Sequence, residues 1–185
     1  MLDTVVRDHL IASDASSADV IKPYLIGKDV NREVDQQPTR FIIDFNQMTE
    51  QEARQFKAAF KYVQKHVYPS RTSDIDRKTA RAKEKWWLFK IPAPDMRNAL
   101  ENLESCLATP CVSPHVLVVR TNTTTLADHQ LKVIALDSDY HFGILQSAVH
   151  EYWAWARGST LEERLRYTNT TIFETFPFPL LSASD

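Results

Sequence analysis

Glycine is almost missing: three occur in 185 residues, Gly27, Gly143 and Gly158, and none belongs to a GxGxxG or P-loop cluster. Without such a cluster no backbone loop comes close to a phosphate, which argues against a nucleotide or S-adenosylmethionine fold within this chain. Cysteine is equally scarce. Cys106 and Cys111 are the only two, too few for a disulfide scaffold and without a CxxC pair for zinc, so both read as small core residues. The six histidines form no i,i+4 pair, and His150, among apolar neighbours, reads as a satisfied core histidine rather than a ligand. There is no GxSxG elbow. The acid pairs Glu162-Glu163 and Asp137/Asp139 have no basic partner at a recognisable spacing, so no catalytic site is expected. No stretch approaches the roughly 18 apolar residues that span a bilayer, and Met1 to Ala18 lacks a signal-peptide pattern. These absences predict a cytoplasmic protein with no membrane partner, and they set aside the Asn-x-Thr tripeptides at Asn122 and Asn169.

What is present is charge, unevenly placed. The formal net charge is -2. Yet Arg54 to Arg97 holds twelve Lys/Arg against Asp74, Asp76, Glu84 and Asp95, leaving ten basic and twenty acidic residues elsewhere. A cationic island in an acidic protein can hold a polyanion while the remaining surface repels unproductive contacts, although a solvated basic helix face explains a single charge run equally well.

An apolar fraction of 43% is ordinary for a folded protein, and the length favours one domain. Asp19 to Leu25 and Arg40 to Phe45 read as short strands separated by a turn at Gly27 and a polar loop ending at Pro38. Thr49 and Glu52 have capping-box spacing, and Ala53, Phe56, Phe60, Val63 and Val67 continue an amphipathic helix to Pro69, with Arg54, Lys57, Lys61 and Lys65 in a row on its other face. Ser70 to Lys85 is a polar basic arm that meets a strand at Trp86-Trp87-Leu88-Phe89. Met96, Ala99, Leu100 and Leu103 predict a second helix ending before Pro110. Val116 to Thr121 and Leu131 to Asp137 read as a hairpin joined by Asn122 to Gln130. One long helix is expected over Ser138 to Arg157, stopped at Gly158. The Phe176-Pro177-Phe178-Pro179 segment should lie extended over an apolar groove. The expected class is α/β (α+β): a small mixed or antiparallel sheet packed with about three to four helices.

Several segments, in order, resemble one family. They are Val20-Ile21-Lys22-Pro23-Tyr24-Leu25 with Gly27, Arg40 to Phe45, Val67-Tyr68-Pro69-Ser70-Arg71 and Trp86-Trp87. After these come His141-Phe142-Gly143-Ile144-Leu145-Gln146-Ser147, His150 with Trp153, and Arg166-Tyr167-Thr168-Asn169-Thr170-Thr171 leading to Phe173-Glu174-Thr175-Phe176-Pro177-Phe178-Pro179. Together they resemble the target recognition region of single-chain type IIG/IIL (MmeI-like) restriction-modification enzymes, and similar regions in phage-defence adenine-N6 methyltransferases. Each motif is weak alone; their order is specific.

The resemblance implies a module that reads double-stranded DNA in the major groove while other domains act on the base. It implies residues 1–18 as the end of a linker from an upstream methyltransferase domain, 19–180 as the recognition domain and 181–185 as a tail. The fragment itself would need no cofactor; S-adenosylmethionine and Mg would serve methyltransferase and nuclease domains of the same bacterial parent chain. The catalytic Asn-Pro-Pro-Tyr-type motif has no counterpart here. Within such a module Arg71, Arg77, Lys78, Arg81 and Lys83 suit phosphates, where geometry is forgiving. Base reading needs rigid support, which directs attention to Lys85 and Lys90 beside Trp86-Trp87 and to Ser113, His115, Arg120 and Asn122 around the following strand. The rival readings are a protein-interaction domain with a basic face and a small metal-dependent nuclease.

Overall fold

The computed structural model describes residues 1–72 and 83–179. In chain order the elements are α1 (Thr4–Ser13), β1 (Ile21–Leu25), α2 (Gly27–Arg32), β2 (Arg40–Ile43), α3 (Glu50–Ala53), α4 (Lys57–His66), α5 (Tyr68–Thr72) and α6 (Pro94–Leu100). There follow β3 (Ser105–Pro110), β4 (Val112–Ser113), β5 (Val119–Asn122), β6 (Leu126–Ala127), β7 (Leu131–Ile134), α7 (Asp139–Leu145), α8 (Ala148–Arg157), β8 (Ser159–Leu161) and β9 (Arg164–Arg166). The mixed α/β class is as expected. The chain divides into two compact units, the first made of Met1–Tyr24 and Pro38–Arg97, the second of Leu25–Gln37 and Asn98–Asp185. Among the described residues no helix is long and apolar enough to cross a membrane.

In the first unit β1 and β2 pair antiparallel, with Ile21 opposite Ile43 and Tyr24 opposite Arg40. Residues 1–18, expected as the end of a linker, contribute α1 to this unit. Leu2 exchanges both backbone hydrogen bonds with Phe41, at 2.7 and 2.9 Å, and buries with Leu10 and Ile21. The capping box at Thr49 forms as expected, but the helix it starts ends at Ala53. A new helix, α4, begins at Lys57, and its N-cap, Phe56, has no side-chain acceptor to offer. Distant residues satisfy the open amides: Asp14 Oδ2 accepts the Ala58 N–H at 3.1 Å and Ser17 Oγ accepts the Ala59 N–H at 3.2 Å. The core gathers Val20, Phe45, Ala53, Ala59, Phe60, Val63, Trp86 and Leu88.

Trp86-Trp87 is a turn, not a strand. Trp86 packs edge-on to Phe60 and Tyr68, while the half-buried Trp87 donates its indole N–H to the Met48 carbonyl at 3.0 Å. Both rings are scaffold, and large aromatic area rather than strand pairing positions them. Arg97 closes the unit by gripping the buried Asp44 carboxylate through two nitrogens, at 2.8 and 3.3 Å.

The second unit is built on β3. Residues 106–110 are buried without interruption, so the strand lacks the period-two alternation that marks a half-buried strand, and it sat hidden in what read as the approach to Pro110. β5 and β7 flank it on either side, both antiparallel. They therefore do not form the expected hairpin. Successive side chains of β3 enter different clusters: Leu107 joins Val118, Ile134 and Leu145, while Ala108 joins Leu25, Val30, Val119 and Leu131. Only Cys111 separates β3 from β4, where the chain passes into a second sheet ordered β4-β9-β8.

The expected single helix over 138–157 is two. Ser138 caps α7 by accepting the His141 N–H, and Ser147 caps α8 by accepting the His150 N–H. Gly158 follows, with extended backbone (φ -80°, ψ 171°) rather than a left-handed cap. It is glycine because a Cβ would stand 2.6 Å from Leu165 Cδ1 and 2.7 Å from the Ala154 carbonyl oxygen. Of the terminal aromatics, Phe176 meets His150 and Phe178 edge-on, with ring centroids 4.7 and 5.0 Å apart.

Candidate functional site

The corner at Cys111 carries a cleft of about 750 Å³ in the second unit. Its wall from α2 supplies Gly27, Lys28, Asn31 and Arg32; the β3–β4 corner and the residues after it supply Pro110, Cys111, Val112, Pro114, His115 and Leu117; Gln130, Leu161 and Arg164 complete it. The lining contains three permanent cations and no carboxylate. Lys28 reaches Glu33 at 3.7 Å and Arg164 reaches Glu162 at 2.7 Å, both at exposed positions where pairing is weak. Such a lining attracts anions.

The corner is rigid. The Cys111 N–H donates to the Gln130 carbonyl at 2.7 Å, and the Cys111 carbonyl accepts the Tyr167 N–H at 2.9 Å. Ser113, with 4% of its surface exposed, donates from Oγ to Asn31 Oδ1 at 2.7 Å, and its oxygen accepts the His115 N–H at 3.3 Å. Asn31 in turn donates from Nδ2 to the Gly27 carbonyl at 2.8 Å. The Cys111 thiol is pushed up from its ordinary range, chiefly by burial, and Cys106 is pushed up to about 11 by the same cause. Neither thiol is an activated nucleophile.

A second groove, of about 880 Å³, lies between α1 and α4 in the first unit. Lys57, Lys61 and Lys65 line it with His9 and His66 over a floor that includes Val6 and Leu10. Its one carboxylate is Asp14, held below the usual carboxylate range first by the Ser16 hydroxyl and next by the Ala58 N–H. Of the row expected from sequence, Arg54 departs: it turns back to Glu50 at 2.6 Å and lies over the Phe60 ring.

The residues expected to touch DNA are thus dispersed. His115 stands at the exposed rim of the cleft, while Ser113 is buried behind it and reaches it only through its hydrogen bond to Asn31. Arg120, on β5, pairs with Asp139 at 2.7 Å and lies over Phe142. Asn122 accepts the Thr124 N–H and shapes a turn. Arg71 donates to the Leu88 carbonyl in the first unit, and Lys83, Lys85 and Lys90 are exposed there. Arg77, Lys78 and Arg81 lie outside the described residues. Sequence reasoning missed Lys28, Asn31, Arg32, Gln130 and Arg164. Lys28-x-x-Asn31-Arg32 was the available signal, but the segment read as turn and loop. Among the described residues no group of three His, Cys, Asp or Glu is placed to hold a metal ion.

His150 is a core residue. It is fully buried, its Nε2 is 2.9 Å from the Tyr167 hydroxyl, and its pKa is lowered to about 4 by burial. Burial likewise raises the Tyr167 hydroxyl.

No curated protein matches the chain. The structure of the type IIL restriction-modification enzyme MmeI in complex with DNA is similar, with a TM-score of 0.69 at 17% identity, over 99% of this chain and 23% of that one. This chain therefore spans about a quarter of that enzyme's length, and at this identity the likeness is one of fold. The family model described as MmeI, target recognition domain, matches residues 1–180. The chain belongs to the MmeI target recognition domain family.

Proposed function

We propose that this domain reads double-stranded DNA through the cleft at the Cys111 corner and that other domains of a longer parent chain perform the chemistry. The observation that carries this is a cleft lined by Lys28, Arg32, Arg164 and His115, with no carboxylate, in a member of a target-recognition family. Lys28, Arg32 and Arg164 serve phosphates, and His115 sits where base edges would pass, with Ser113 held behind it. Arg71, Lys83, Lys85 and Lys90, together with Arg77, Lys78 and Arg81, add backbone contacts from the cationic island. Arg120 and Asn122 play a supporting part, since each already has an intramolecular partner.

In this reading the parent is a bacterial, cytoplasmic type IIG/IIL enzyme or a phage-defence methyltransferase that modifies adenine at N6. S-adenosylmethionine and Mg would be bound by its methyltransferase and nuclease domains. This chain's three separated glycines offer no cofactor loop, in keeping with that division of labour.

The test is direct. The 185-residue chain, titrated with a labelled duplex, should bind with an affinity that falls steeply between about 50 and 200 mM salt. Replacing Arg32 and Arg164 by Ala should weaken binding on every sequence alike. Salt-insensitive binding, or none at low salt, would refute the proposal.

A further inference from the structure

Asn31 is an exposed side chain that is nevertheless fixed in orientation from both ends. The Gly27 carbonyl can only accept, so the amide nitrogen must face it; the amide oxygen is thereby turned to Ser113 Oγ. Both partners are held in secondary structure. Gly27 opens α2 and Ser113 is buried in β4, a strand hydrogen-bonded to β9. An asparagine amide has two donor hydrogens and two acceptor lone pairs. One of each is used internally. One donor and one acceptor remain, on a group lining the cation-walled cleft.

That residual pair is complementary to the adenine edge in the major groove, where N7 accepts and N6–H donates. A guanine presents two acceptors there, and a thymine an acceptor beside a methyl group, so neither satisfies both. An amide already oriented loses little rotamer freedom on binding, which favours discrimination over an unanchored Asn.

We infer that Asn31 is a specificity-determining residue that selects an adenine within the recognised sequence, and that Ser113 is its positioning residue. The inference rests on the DNA reading above and names what that cleft reads. Ser113 touches no base; it sets which way the amide faces.

The experiment enriches duplexes from a random library with the 185-residue chain, at salt low enough for binding, and compares the selected motif with those of N31A, S113A and S113T. The wild type should select a motif with one A·T pair whose preference N31A loses while other positions persist. S113A should blur the same position and S113T restore it. Replacing that adenine by 7-deazaadenine, which removes N7, should cost the wild type about five- to a hundredfold and leave N31A unaffected. A wild-type motif kept by N31A, or equal losses on 7-deazaadenine in both proteins, overturns the inference. If N31A does not fold, the 7-deazaadenine scan on the wild type decides, since tolerance at every adenine refutes it. Failure of the wild type to enrich any motif overturns the DNA reading itself and is a distinct result.

Discussion

Asp14 Oδ2 accepts the backbone N–H of Ala58 at 3.1 Å, across 44 residues of sequence. Helix α4 is thus capped from outside, by the segment that follows α1, and Ser17 repeats the device one residue further on. Substituting Asp14 by Ala should lower stability measurably, with Ser17→Ala in the same direction, because each leaves a helix-terminal amide without its acceptor. Asp14→Asn keeps an acceptor oxygen and should recover most of the loss. Denaturant midpoints of the three variants check this.

Stability should depend on pH through His150. Its folded pKa, about 4, lies below the ordinary 6.5, so between these values the unfolded chain binds a proton that the folded chain refuses. His150 therefore contributes nothing adverse above pH 6.5 and destabilises as pH falls toward 4, at roughly 1.4 kcal/mol per pH unit within the window. Urea midpoints measured from pH 7.5 to 4.5 should fall, and His150→Gln should flatten the profile. A slope unchanged in the variant would rule out His150 as its source.

Tyr167→Phe removes the hydroxyl that meets His150 Nε2 and leaves that buried nitrogen without its bond. A cost of about 1 to 3 kcal/mol is expected, read as a fall in the thermal midpoint.

Gly158→Ala should be more severe than a helix-end glycine normally warrants. The added methyl would overlap Leu165 and a backbone carbonyl that cannot swing away, so about 1 to 3 kcal/mol should be lost, without relief from any left-handed backbone strain. Leu165→Ala in the same chain should relieve part of the clash, which a double-mutant cycle would reveal.

The lysine row on α4 makes a separate prediction about binding. Lys57, Lys61 and Lys65 have no ion-pair partner among the described residues and recur every four positions, about 6 Å apart along the helix. If they meet phosphates, the triple Ala variant should reduce the salt slope of duplex binding by about 2 to 3, without altering which sequence is preferred. An unchanged slope would leave the row as a solvated face.

Much of this was legible from residue order alone. Thr49 with Glu52, Ser138, and the β-branched run at Leu131 marked where their elements begin, though not their extent or partners, because caps and strand propensity are local. What stayed hidden was non-local. β3 is buried on both faces and so carries no alternation; α4 has its first amides satisfied by Asp14 and Ser17; α2 looked like loop because its stabilising contacts lie within backbone and at Asp29. The cleft depends on those elements. Ser113 and His115 could be reached from the strand beside them, but Asn31 and Arg32 could not, since nothing nearby in sequence marks them as neighbours of Ser113.

The chain leaves the first unit at Leu25, contributes α2 to the second, and returns at Pro38 before completing the second from Asn98 onward. For anyone wishing to exchange recognition between relatives, a graft cut as one continuous block from Asn98 would bring Ser113 and leave its Asn31 behind. A workable exchange must carry two cassettes, 25–37 and 98–179, and a chimera made with only one of them would pair a support from one protein with a reading edge from another.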